Sequence, residues 1–504
     1  MKKEKDSLIE DVALGSLWNF ILTFSARLGG FFFVIIIARF LMPENFGIYT
    51  LAFSITLIVL TALDTGLNQS LLKYVSDALN KKNKKLAAAN FRYLLKLKII
   101  ITCLASLLLI LLSYPLSIFI FKQPKLFFPL ILSSIYIVTL SIGSFYSSYF
   151  YIIKKLAHVT IKQTIFEITR ILGVVIMFLI IAKEQYIIGI FGVLILSMLI
   201  STVYLLYLLK KISPFLFKPS RIKVEKKRMI RFAVYFSAIG SLLVIFGYID
   251  TLMIGFFMNA SYVGFYSAAL AILTGIWGFL NISQILLPLL TDLRDDQIQK
   301  EFNKVFRYLA IISIPAIAGM VILGKYFITL IYGYEYLPSV FPFYILAVLI
   351  FEIPLIDLIN PLFSAKEKPQ IIIKGTIIAT IVNIVLNVVF ITLFLKQSAV
   401  MAIMGAALAT VISQTIYIII LLAYAKKDFK IYFQYTHLIK PLFAALIMAL
   451  VLTLINAQFS DMNLLLGIVE ILLGMVIYFT SLYFMKGITQ EDIQIVKDLI
   501  KRFR

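Results

Sequence analysis

The sequence predicts an all-α polytopic membrane protein of about fourteen transmembrane helices, built as two parallel six-helix lobes followed by two further helices. Three observations predict it: the composition, the regular succession of apolar runs, and a repeat of the first half in the second. Of the 504 residues, 62% are hydrophobic and only 14% charged, with a mean hydropathy of +1.00. A soluble domain carries about 45–50% apolar and about 25% charged residues. Surface shrinks too slowly with size for a soluble core to bury this much Ile, Leu and Phe. No polar stretch is long enough for a catalytic domain outside the membrane.

A bilayer crossing needs about 20 apolar residues. Runs between charged or Pro/Asn-rich breaks give fourteen candidates, near 12–38, 46–76, 87–112, 126–152, 157–182, 186–209, 231–257, 262–291, 303–323, 338–364, 370–395, 399–425, 436–456 and 462–485. The N-terminus, MKKEKDSLIEDV, is charged and lacks a small-residue cleavage site, so it is expected to be a retained cytoplasmic tail. The lone cysteine, Cys103, lies in an apolar run and offers neither a disulfide nor a cysteine metal site.

Loop charges orient the chain. With the N-terminus inside, the inner segments hold 32 Lys and Arg residues and the outer loops only six: Arg39, Lys122, Lys125, Lys183, Lys325 and Lys396. Both termini are then cytoplasmic, which an even number of spans requires. The net charge of +22 is thereby dispersed over loops facing anionic headgroups and does not imply nucleic acid.

The repeat is read from collinear matches. FRYL occurs at Phe91–Leu94 and at Phe306–Leu309, 215 residues on. At the same offset NQSLLKYVSD (Asn68–Asp77) lies over SQILLPLLTD (Ser283–Asp292). FGIYTLAFSI (Phe46–Ile55) lies over VGFYSAALAI (Val263–Ile272), setting Gly47 on Gly264, and KKLAHVTIKQTI (Lys154–Ile165) lies over KEKPQIIIKGTI (Lys366–Ile377). Six spans per repeat make the halves parallel, and transporters of this build bind substrate between halves that rock in alternation. The expected domains are 1–211, a basic cytoplasmic linker 212–230, 231–427, and 428–504 with the last two spans and tail.

The stretches IIIARFLMPENFGIYTLAFSI (Ile35–Ile55) and LDTGLNQSLLKYVSD (Leu63–Asp77) resemble the opening of oligosaccharide-lipid flippases. These are O-antigen-flippase-like polysaccharide biosynthesis proteins of the multidrug/oligosaccharidyl-lipid/polysaccharide exporter superfamily. The resemblance extends over the whole chain. It implies a MATE-like fold with a V-shaped central cavity, which carries a polyprenyl-phosphate-linked glycan from the inner to the outer leaflet. It also implies cavity arginines for the anionic substrate, membrane lipids as surroundings, and glycan-assembly enzymes as further partners of what is expected to be a monomer. No cofactor is called for beyond H⁺ or Na⁺ coupling.

Ionisable residues inside spans are costly and mark function by default. Arg27, in FSARLGGFF, suits a diphosphate because its guanidinium is permanently charged and donates bidentately; the rival reading is an ion pair with a carboxylate such as Asp64. Asp64, in ALDTGLNQS, either holds Arg27, binds a proton or Na⁺, or shapes a helix bend. Glu167 and Arg170, three apart in IFEITRIL, face one another on one helix, either as a plain pair or as a cavity wall offering Arg170 to phosphate. Asp250, in FGYIDTLMIG, has no basic neighbour in sequence and is a candidate for cation coupling. Glu352, Asp357 and Glu470 are weaker candidates. Lys162 and Lys374 correspond in the repeat and either meet phosphate at the inner mouth or snorkel.

Two rival functions remain: a cation-coupled multidrug exporter of the same fold, and an integral-membrane glycosyltransferase or polymerase. The first favours an acidic cavity, against Arg27 and Arg170. The second usually needs a large outer loop with acidic motifs, and every outer loop here is short. GMVILGKY (Gly319–Tyr326) has P-loop spacing, but Tyr326 replaces the required Ser/Thr and the segment ends an apolar helix. His158 and His437 lack metal-ligand spacing.

Overall fold

The computed structural model describes residues 2–219, 222–280, 295–366, 368–432, 434–457, 464–489, 492 and 494. The repeat segment Ser283–Asp292, the end of the expected span 262–291, and the tail cations Lys497, Lys501, Arg502 and Arg504 lie outside these residues.

Helix α1 runs from Lys2 to Asn80, far longer than one crossing needs. Met42 breaks it, at φ 62° and ψ 166°. The cause is local: the ring of Pro43 drives the preceding residue out of the α region and cannot donate to the turn before it. Pro43 and Glu44 then suit the first turn of a new helix, where a missing N–H is harmless and a negative charge meets the dipole. The segment is thus two helices meeting at Met42, and it supplies two crossings.

The others follow as α2 (Lys84–Pro115), α3 (Phe127–Ile152), α4 (Leu156–Ile180), α5 (Tyr186–Ile212), α6 (Lys226–Phe257) and α7 (Ala260–Leu280). Next come α8 (Asp295–Tyr332), α9 (Val340–Leu346) bent against α10 (Leu349–Ala365), α11 (Pro369–Leu395), α12 (Ala399–Phe429), α13 (Thr436–Asn456) and α14 (Leu464–Phe484). Among the described residues eleven helices are long and apolar enough to cross a membrane, or twelve with the bent pair counted as one. Counting α1 twice and adding the shorter α7 gives fourteen, in the order six, six and two. The Gly319–Tyr326 segment lies inside α8.

Lysines close several helices. Lys82, Lys154, Lys430 and Lys486 sit just past α1, α3, α12 and α14 in the left-handed region, with φ of 56°, 55°, 54° and 53°. Glycine usually takes this place. Lysine brings instead a positive charge to the negative end of the helix dipole, so the inner-loop charge bias and the helix ends are served by the same residues.

The helices form two compact units, residues 1–267 with 387–399, and residues 268–386 with 400–504. The core of the first gathers Leu71, Val75, Phe91, Leu94, Phe145, Tyr149 and Leu205. In the second, Ala444, Met448, Leu452, Tyr478 and Leu482 join α13 to α14. Leu104, Leu107, Leu108 and Leu111 on α2 are all exposed, a contiguous apolar face that suits lipid and not water.

The repeat has a physical basis in both of its marks. Phe91 and Phe306 are buried, at 0% and 1% exposure, so FRYL is held in register by its phenylalanine. Its arginines diverge. The Nε of Arg92 donates to the Ala88 carbonyl at 3.2 Å, whereas Arg307 pairs with Asp492. Gly47 and Gly264, which the repeat superimposes, meet each other. A methyl group on Gly47 would overlap the Ala260 carbonyl, and one on Gly264 the Pro43 carbonyl. From there the second part of α1 runs along α6, with Leu51 against Gly255, Thr65 against Gly240, and Ser70 donating to the Met229 carbonyl at 3.2 Å.

Candidate functional site

Within the first unit, α1, α3, α4 and α5 line an open cavity of about 490 Å³. Arg27, with Leu22, Thr23 and Ala26 a turn before it, faces it from α1, as does Asn68 from beyond the Met42 break. Helix α3 contributes Leu140, Ser144, Ser147, Ser148 and Tyr151, α4 contributes Val159, Lys162 and Gln163, and α5 contributes Met198. Two cations thus share the lining with seven neutral hydrogen-bonding side chains, and among the described residues no carboxylate lines it.

Lys162 is buried at 6% exposure, its Nζ 3.7 Å from the Met198 sulfur and 5.8 Å from the Phe166 ring centre. Neither is an oxygen. A buried ammonium left with a thioether and a ring retains donors for an anion entering the cavity. Arg27 is half-buried in the same lining. Lys374, its counterpart in the repeat reading of Lys162, is exposed on α11 in the second unit.

Asp64 has a cation partner that the sequence reading did not name. The cation it holds is Lys98, whose Nζ lies 2.5 Å from Oδ1 and whose side chain is wholly buried. Ser141 donates to Oδ1 at 2.7 Å, and Ser144 and Asn68 donate to Oδ2 at 2.7 and 2.8 Å. These donors fill the carboxylate's acceptor sites, so Asp64 belongs to a structural ion pair. The network reaches the cavity, because Lys98 also donates to Asn68 Oδ1 at 2.6 Å and fixes which way that amide points.

Glu167 and Arg170 form the intrahelical pair, and the Arg170 guanidinium lies over the rings of Phe33 and Phe166 at 4.6 and 4.9 Å. Arg170 does not line the cavity; its link to it is Gln163, which donates to Glu167 Oε1 at 2.7 Å. Gly29 is what lets α1 approach this pair, since a methyl there would strike the Glu167 carboxylate. Asp250 is buried on α6 and accepts from Tyr266 Oη at 3.1 Å and from Asn387 Nδ2 at 2.7 Å.

Sequence reasoning passed over Lys98 and the α3 hydroxyls. Lys98 stands in KLKIII beside the charged end of its span, where it looks like one more inner-face lysine. Ser141, Ser144 and Ser148 carried a usable signal: spacings of three and four put hydroxyls on one face of an otherwise apolar helix.

The family model described as "Polysaccharide biosynthesis protein" matches residues 36–341. The chain belongs to that family. Among polysaccharide biosynthesis and related membrane proteins, an uncharacterized membrane protein of the cps region of Klebsiella pneumoniae is 23% identical over 409 residues, 79% of each chain. The probable low-salt glycan biosynthesis flippase Agl15 of Haloferax volcanii is 25% identical over 279 residues, 54% of this chain and 57% of that one. Among solved structures, the lipid II flippase MurJ in an inward closed conformation matches with a TM-score of 0.74 at 16% identity, covering 93% of this chain and 98% of that one. An inward-facing multidrug resistance MATE family transporter matches at 0.57 and 13% identity, covering 81% and 94%. The expected MATE-like fold of the exporter superfamily is thus the observed one.

Proposed function

We propose that this polysaccharide biosynthesis protein flips a polyprenyl-phosphate-linked oligosaccharide from the inner to the outer leaflet, by alternating access of its two repeat halves. The cavity that holds Arg27 and Lys162, with no lining carboxylate among the described residues, carries the reading. Arginine offers a phosphate two parallel donors and lysine a compact charge. Thr23, Ser147 and Ser148 give their hydroxyl hydrogens to backbone carbonyls and Ser144 gives its own to Asp64. These oxygens therefore meet sugar hydroxyls as acceptors, with Tyr151 and the second amide hydrogen of Gln163 as donors. A prenyl chain needs no site of its own depth here, because it stays in the bilayer.

Agl15 is a probable glycan biosynthesis flippase and MurJ a lipid II flippase, which supports the same class of cargo. A cation exporter would place a carboxylate where the cavity has lysine and arginine. The protein works as a transporter in the cytoplasmic membrane with both termini inside, as a monomer alongside glycan-assembly enzymes. A proton or Na⁺ gradient drives it, with Asp250 as the carboxylate assigned to that coupling.

Deletion of the gene followed by extraction of lipid-linked sugars tests the reading. Accumulated lipid-linked intermediates with reduced surface glycan are expected. Unchanged intermediates and glycan, together with new drug sensitivity, would replace the flippase by an exporter.

A further inference from the structure

A second polar cavity, of about 240 Å³, lies in the second unit, and none of the residues assigned to transport lines it. Arg307 of α8, Thr436, His437 and Lys440 of α13, and Lys486 and Thr489 after α14 line it, with Ile311 and Pro441 as its apolar wall. Three cations from three different elements therefore converge on one small space. The only carboxylate bound to them among the described residues is Asp492. It takes an ion pair from Arg307 and hydrogen bonds from Tyr308 Oη at 2.8 Å, the Thr489 N–H at 2.7 Å and Thr489 Oγ1 at 2.8 Å.

The charge of this cluster does not close. Lys440 spends one donor on the Lys486 carbonyl, at 2.8 Å, which tethers it across the end of α14. The Lys486 ammonium meets no carboxylate among the described residues. Arg307 turns one nitrogen, Nη2, to Asp492 and Thr489, and its guanidinium lies over the Tyr308 ring. Among the described residues two positive charges remain over one cavity, with threonine hydroxyls beside them. These residues stand where α13 begins and α14 ends, and apolar helices of this length end near the headgroup level.

We propose that this cavity binds a phosphate group, with Arg307, Lys440 and Lys486 as its ligands and Asp492 as an internal anion that holds part of the site. Basic pockets between helices at a membrane surface bind lipid headgroups through this chemistry. A phosphodiester headgroup and a free phosphate share it. Asp492 competes with either for Arg307, which couples occupancy of the site to the Arg307–Asp492 pair.

The test uses the purified full chain in detergent, with thermal unfolding followed on adding phosphatidylglycerol, phosphatidylcholine, or inorganic phosphate at constant ionic strength. Phosphatidylglycerol is expected to raise the midpoint more than phosphatidylcholine, and the Lys440→Gln/Lys486→Asn double variant to lose at least half of that difference. Asparagine is chosen at 486 because it tolerates the left-handed backbone there. Asp492→Asn is expected to lower the phosphatidylglycerol concentration needed for half of the shift. A response to phosphatidylglycerol alone assigns the site to a headgroup; a response to inorganic phosphate as well assigns it to phosphate in general. Equal shifts in the wild type and the double variant, or no difference between the two lipids and no response to phosphate, would overturn the proposal. Should the double variant fold poorly, native mass spectrometry of Lys486→Asn alone, counting retained phosphatidylglycerol, decides in the same sense.

Discussion

Lys98 Nζ lies 2.5 Å from Asp64 Oδ1, and the lysine side chain has no exposure at all. The pair joins α2 to the second crossing of α1, and Ser141, Ser144 and Asn68 complete its shell. It lies directly behind the cavity, since Asn68 and Ser144 belong to both.

Removing one member of a buried pair leaves the other charge uncompensated, which is destabilising by about 3–5 kcal/mol. Lys98→Met is therefore expected to lower the yield and unfolding midpoint of the purified protein sharply. Lys98→Met with Asp64→Asn should recover much of the loss. A double variant as unstable as Lys98→Met alone would show that the pair is not what Lys98 is there for.

Lys162 makes the opposite prediction. Its ammonium is buried without an oxygen partner, so Lys162→Met removes a desolvated charge and should leave the unfolding midpoint unchanged or raised. Transport should fall nevertheless. A hydrogen bond to a charged group contributes about 1.5–3 kcal/mol, which corresponds to about ten- to hundredfold in affinity for the substrate. Initial rates at subsaturating lipid-linked sugar check this, and full activity in the variant would remove Lys162 from the site.

Gly47 and Gly264 test the repeat as packing. Overpacking a close contact costs about 1–3 kcal/mol, and each added methyl here meets a backbone carbonyl that cannot rotate away. Gly47→Ala and Gly264→Ala should destabilise by similar amounts, measured by unfolding in detergent, whereas Gly192→Ala, whose added methyl meets nothing, should not.

Asp492 gives a pH dependence with a definite sign. Burial raises its pKa, but the Thr489 N–H, the Tyr308 and Thr489 hydroxyls and Arg307 outweigh this and hold it below the usual carboxylate value. The contribution of the Arg307–Asp492 pair is then present above the unfolded value, about 3.9, and is lost as pH falls through the lower folded value. Hydrogen exchange of the segment around Thr489 should stay protected from neutral pH down to about pH 4 and open below it. Asp492→Asn should expose the segment already at pH 7.

Much of the fold was legible because membrane crossings declare themselves by length and hydropathy, and because a repeat needs only collinearity to be seen. Arg27 and Lys162 drew notice for the same reason, as cations within apolar spans, but the sequence left an ion pair open for Arg27 and snorkelling for Lys162; that they line one cavity is a tertiary fact. Their distinction from Arg170 was not legible, since which face of α4 meets α1 depends on Gly29 admitting the Glu167 carboxylate. Lys98 was hidden by its setting near a basic helix end. Its burial comes from a tertiary partner 34 residues earlier, and no periodicity announces such a partner.

The central claim is that the Arg27 and Lys162 cavity moves a phosphate-linked glycan across a bilayer. Its most direct measurement is flipping in vesicles reconstituted with the purified protein, using a fluorescent polyprenyl-phosphate-linked sugar and an impermeant quencher. The wild type should expose inner-leaflet label to the quencher, and the Arg27→Gln/Lys162→Met variant, folded and incorporated equally, should not. Equal flipping by both proteins, or none by the wild type while it expels a cationic dye, would contradict the account.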